Sequence, residues 1–66
     1  MNIKVNGEPV EAEPGASAAA VLGALGIDRR AVVVELNGQI IRGPDIDQSG
    51  IAPGDRLEIV HFVGGG

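Results

Sequence analysis

The chain opens on alternating positions, with Ile3 and Val5 on one side of Met1 to Val5 and Asn2 and Lys4 on the other. That period of two predicts a strand with one buried face. Asn6-Gly7 follows, a pair suited to the positive-φ positions of a tight hairpin turn. Glu8 to Glu13 is then the return strand, with Val10 and Ala12 inward. Pro9 near its start lacks a backbone donor, which suits a sheet edge. Pro14-Gly15 breaks the strand. Ser17 is a helix N-cap, its hydroxyl free to take an early backbone N–H. Ala18, Val21, Leu22 and Leu25 then share one helical face. Gly23 weakens that helix, and Gly26 closes it in a left-handed conformation.

Ala31 to Leu36 is rich in β-branched residues and predicts a third strand. Asn37-Gly38 marks a second tight turn, and Gln39 to Arg42 a short strand after it. Gly43 to Gly54, rich in Gly, Pro and Asp, reads as a loop with one helical turn around Asp45 to Ser49. Pro53-Gly54-Asp55 is a turn, and Arg56 to Phe62 is the last strand. Hairpin, helix, hairpin, final strand is the order of an α+β fold of the β-grasp, or ubiquitin-like, kind. It predicts a mixed sheet of about five strands with one crossing helix, and first and last strands paired in parallel. Residues 1–63 form the domain, and 64–66 leave it as a glycine tail.

With 66 residues there is one small core and little room for a deep catalytic pocket. A domain of this size buries only ~60% of its unfolded surface. The net charge is -4 and Lys4, Arg29, Arg30, Arg42 and Arg56 are spread along the chain. That argues against nucleic acid, which needs clustered cations. The acidity suits a basic protein partner or serves solubility alone. Without cysteine, disulfides, thiolate metal sites and thiol nucleophiles are excluded for these residues. A small secreted domain is usually disulfide-stapled, so a cytoplasmic setting is expected. No apolar run is long enough to span a membrane.

The most specific chemistry lies in Gly64-Gly65-Gly66. A tail without Cβ atoms threads a channel that side chains would block, and it leaves the last carbonyl open to attack. A free α-carboxylate, with a pKa of ~3.3–3.7, is ionised at neutral pH. It is a poor acyl donor until activated, and ATP adenylation by another protein is the usual route.

The end of the chain, Arg56-Leu57-Glu58-Ile59-Val60-His61-Phe62-Val63-Gly64-Gly65-Gly66, resembles the C-terminus of the ThiS family. These are sulfur carriers of bacterial thiamin biosynthesis. Val34 to Ile41 and the opening Ile3-Lys4-Val5-Asn6-Gly7-Glu8 resemble that family too. The resemblance implies a protein cosubstrate, not an enzyme, with no bound cofactor and with ATP used by its partner. A ThiF-like adenylating enzyme would activate Gly66, and a sulfur relay, such as one fed by a cysteine desulfurase, would convert it to a thiocarboxylate. A ThiG-like thiazole synthase would take the sulfur. Gly64 and Gly65 would thread the tail, and the carrier would be a monomer alone. The alternatives are the small subunit of molybdopterin synthase, a ubiquitin-like modifier of lysines, and a β-grasp binding module with an inert tail. Molybdopterin synthase small subunits usually end in a Pro-Pro-Val-Ala-Gly-Gly type of sequence, unlike this chain.

On the last strand, Leu57 and Ile59 facing the core would put Glu58, Val60 and Phe62 on the opposite face. Val60 and Phe62 then form an apolar strip for partners just before the tail, with Glu58 beside it. The competing expectation is that Phe62 folds back as core. His61, the only histidine, cannot build a metal site alone and reads as a partly exposed strand residue. Asp45, Asp47 and Asp55 lack calcium-loop spacing and suit turns and caps. Glu8, Glu11 and Glu13 form a solvated edge that also steers basic partners. Ser17 and Ser49 have no nucleophile-elbow context.

Overall fold

Both Asn-Gly pairs turn the chain as predicted: Asn6 and Gly7 lie at φ of 50° and 81°, and Asn37 and Gly38 at 50° and 89°. The structure, a computed structural model, describes residues 1–62. Strands β1 (Asn2–Val5) and β2 (Glu8–Glu11) form the first hairpin, and β3 (Val32–Leu36) and β4 (Gln39–Ile41) the second. The last strand is β5 (Arg56–His61). The five strands run in the order β2-β1-β5-β3-β4, so the proline-bearing β2 is an edge. β5 pairs parallel with β1 and antiparallel with β3.

Helix α1 (Ala18–Ala24) crosses one face of this sheet. Its N-cap is Ser17, whose hydroxyl accepts from the Ala20 N–H at 3.1 Å. At the other end Gly26 lies at φ 72°. The Gly26 N–H reaches Gly23 O at 3.1 Å and the Ile27 N–H reaches Leu22 O at 3.0 Å. This pair of reversed bonds is the Schellman closure that glycine permits. Leu25, predicted inward, is 41% exposed. It is the C-cap residue, where the chain already turns off the sheet.

Ile3, Leu22, Val34 and Leu57 are the largest fully buried side chains. The segment predicted as loop contributes to this core. Helix α2 (Pro44–Gln48) starts one residue before the predicted turn and buries Ile46, and Ile51 is buried after it. The segment is tied to α1 by Ala18 N–H to Ser49 O and Ile51 N–H to Ala16 O, both at 2.9 Å. These bonds hold Ile51 under the helix although no periodicity marks it.

Strand ends fall short of the predicted ones. β2 stops at Glu11 rather than Glu13. Ala31 closes a 3-10 turn, Arg29–Ala31, instead of opening β3. Asp28 caps that turn by accepting from the Arg30 N–H at 2.9 Å, a local bond that competes with extended backbone.

Candidate functional site

Strand β5 is held on both sides by the two turn asparagines. Beyond the end of β1, Asn6 Nδ2 donates to Ile59 O at 3.1 Å and Oδ1 accepts from the Ile59 N–H at 2.7 Å. On the other flank, Asn37 Oδ1 accepts from the Arg56 N–H at 2.9 Å. The Asn37 amide also donates to Asp55 Oδ1 at 3.1 Å. Asp55 Oδ2 accepts from the Ala52 N–H at 2.8 Å. That backbone bond first, and the Asn37 amide second, hold the Asp55 carboxyl below its ordinary range. Asp55 therefore serves a turn, as predicted.

β5 divides its side chains between the two faces as the alternation predicts. Leu57 and Ile59 are buried under α1, while Glu58, Val60 and Phe62 are exposed. Val60 is 61% and Phe62 64% exposed, so Phe62 is not folded back as core. Cross-strand register adds residues that sequence alone did not assign to this face. Val33 lies opposite Val60, Glu35 opposite Glu58, and Ile40 opposite Glu35. Direct cross-strand partners share a face. Ile40, 49% exposed, therefore joins Val33, Val60 and Phe62 in one apolar area. The Asn37-Gly38 turn fixes the partner of Ile40. The β3 to β5 register comes from packing, with no turn to announce it.

Phe62 also borders a shallow groove of about 380 Å³ whose walls include Val33, Ile46, Arg29, Arg30 and Arg42. Three of the five basic residues, the adjacent Arg29 and Arg30 and the more distant Arg42, thus line one groove beside Phe62. Two are engaged locally. Arg29 grips Asp47 at 2.7 and 2.9 Å and donates to Gly43 O at 3.0 Å. Arg30 pairs with Asp28 at 3.1 Å. Hydrogen bonds from these guanidinium groups lower both carboxyls and raise both arginines. Asp47 is thus a structural partner.

Among the described residues no group of three or more His, Cys, Asp or Glu side chains is placed to hold a metal ion. His61 is exposed at the end of β5. No described helix is long and apolar enough to cross a membrane. Glu8 and Glu13 are exposed, and Glu11 meets the N-terminal ammonium at 3.2 Å. Gly64, Gly65 and Gly66, with the predicted domain boundary at Val63, lie outside the described residues.

Residues 3–66 match the model of the ThiS family. A ThiS thiamine biosynthesis protein from Geobacter metallireducens, solved by crystallography, superposes with a TM-score of 0.83 at 35% identity, with all of both chains covered. Its solution structure gives 0.80, with 88% of that chain covered. The whole chain is also 41% identical to part of a thiazole synthase from Paramagnetospirillum magneticum and 36% identical to part of one from Magnetococcus marinus. It spans about a fifth of the length of these two curated relatives, 20% in each case. Family match, fold and full-length superposition agree: the chain belongs to the ThiS family.

Proposed function

We propose that this protein is a sulfur carrier of thiamine biosynthesis, a cosubstrate on which partner enzymes act. The observation that carries the reading is the ThiS-family match, which runs through Gly66. The exposed Glu58, Val60 and Phe62 on one face of the last strand support it.

In this reading a ThiF-like enzyme presents ATP to the Gly66 carboxylate. A carboxylate oxygen attacks the α-phosphorus and pyrophosphate leaves, giving an acyl-adenylate. A persulfide sulfur, delivered by a relay fed from a cysteine desulfurase, attacks the carbonyl carbon and expels AMP. A thiol then cleaves the sulfur–sulfur bond, leaving a thiocarboxylate on Gly66 and a disulfide on the relay. The chain has no cysteine, so the sulfur comes from outside it. Gly64 and Gly65 let the end enter a narrow channel. Val60, Phe62 and Glu58 are the surface that partners grip.

A ThiG-like thiazole synthase is the acceptor. The thiazole synthase relatives support this pairing, because a stretch like this chain is there part of the same polypeptide. The setting we propose is the cytoplasm, with the carrier a monomer that meets each enzyme in turn and binds no cofactor itself.

The test is intact mass after incubation with ATP, the adenylating enzyme and a sulfur donor. Replacement of one oxygen by sulfur is expected, and deletion of Gly66 should abolish it. A ladder of adducts on other proteins would make the chain a modifier instead. No mass change with an enzyme competent on another carrier would refute the reading.

A further inference from the structure

The open face of the sheet carries an arrangement that the fold does not require. Glu35 and Glu58 stand directly opposite each other on β3 and β5. Glu58 is exposed and Glu35 half-buried. Like charges in this position repel, and among the described residues neither carboxylate makes an ion pair. An isolated domain would be better served by a cation at either position.

The neighbours on the same face are ordered. Toward the end of β5 lie the apolar side chains of Val33 and Val60, while Ile40 stands level with the glutamates, on the far side of Glu35. Toward its start, Arg56 lies beside Lys4 in the parallel register, and both are exposed. Along β5 and its two neighbours the face therefore runs from Val33 and Val60, through the two glutamates, to Arg56 and Lys4, with Ile40 flanking Glu35 on β4.

We propose that this face docks a protein surface of complementary order: an apolar side chain against Val33 and Val60, and an arginine or lysine between Glu35 and Glu58. Arg56 and Lys4 then receive an acidic group farther along. The repulsion between the two glutamates in the free protein is relieved only in the complex. Specificity arises because a partner lacking the cation leaves two carboxylates desolvated beside one another, and a partner with an acid there is repelled. The inference rests on the sulfur-carrier reading for the identity of its partners and deepens it, assigning Glu35 a part alongside Glu58.

The test measures binding to the ThiF-like adenylating enzyme and to the ThiG-like thiazole synthase across a salt series. Wild type is compared with Glu35→Gln, Glu58→Gln and the double variant, and thermal unfolding of each free chain is recorded. The double variant is expected to bind at least one enzyme about tenfold more weakly at low salt, as for loss of a charge at an interface. The difference should narrow as salt rises. The free double variant should melt no lower than wild type. Equal binding of wild type and variants to both enzymes would overturn the inference while leaving the carrier reading standing, as would a lower melting temperature explaining the loss. Failure of wild type to bind either enzyme would overturn both.

Discussion

Asn6 and Ile59 are joined by two hydrogen bonds, side-chain amide to backbone carbonyl at 3.1 Å and backbone N–H to amide oxygen at 2.7 Å. The amide imitates one more residue of β1 pairing with β5. Asn6→Gly keeps the positive φ but removes both bonds, and should cost about 1–3 kcal/mol in urea unfolding. Asn6→Ala should cost about 1–2 kcal/mol more, because alanine is strained at that φ. Asn6→Gly with wild-type stability would show that the pairing does not hold β5.

Phe62→Ala tests the apolar end of β5 for function. With the ring 64% exposed, stability should change by less than about 0.5 kcal/mol. Binding to the proposed partner enzymes should fall by about 2 kcal/mol, as for a central anchor. Calorimetry of unfolding and of binding separates the two. A sharp drop in melting temperature with intact binding would make Phe62 a structural residue.

Ile46 and Ile51 are buried within a segment that reads as loop. Truncating either to alanine should cost about 2–5 kcal/mol, a large share of the roughly 5 kcal/mol at the low end for folded domains. Ile40→Ala, on the open face, should be close to neutral. The contrast is read by denaturant midpoint, and a cheap Ile46→Ala would mean that α2 is not part of the core.

Acid should weaken the fold partly through Asp55. Its carboxyl titrates below its ordinary value because the Ala52 N–H and the Asn37 amide favour the ionised form. The unfolded value is about 3.9. The contribution is therefore full above that pH and is lost as pH falls through the lower folded value. Asp55→Asn should flatten the stability profile in that window. Asp28 and Asp47 are lowered too, by Arg30 and Arg29. Those exposed ion pairs should fade with added salt, leaving the Asp55 dependence more visible. A profile unchanged in Asp55→Asn would remove it from the acid transition.

Much of this was legible because it is local. The Asn-Gly turns, the Ser17 cap, the Gly26 closure and the alternation of β5 each depend on neighbours within a few residues. The exposed strip of Glu58, Val60 and Phe62 followed from period two and the choice of Leu57 as core. What sequence did not disclose is set by distant contacts. Ile51 is buried because its N–H bonds to Ala16 O. Glu35 meets Glu58 because β5 enters between two hairpins, and no turn records that register. Arg42 looks remote from the neighbouring Arg29 and Arg30 until the 3-10 turn and the end of β4 are brought side by side.

The position of β5 between β1 and β3 has a mechanical meaning. In the proposed role, a pull on the end of β5 directed along that strand acts on the centre of the sheet and not on its edge. The backbone bonds to β1 and β3, together with the Asn6 bonds to Ile59, are then loaded sideways and at the same time. Peeling, in which bonds break singly, would require the pull to come from an edge strand. Against such a pull the sheet therefore resists as a unit, with both flanks of β5 sharing the load.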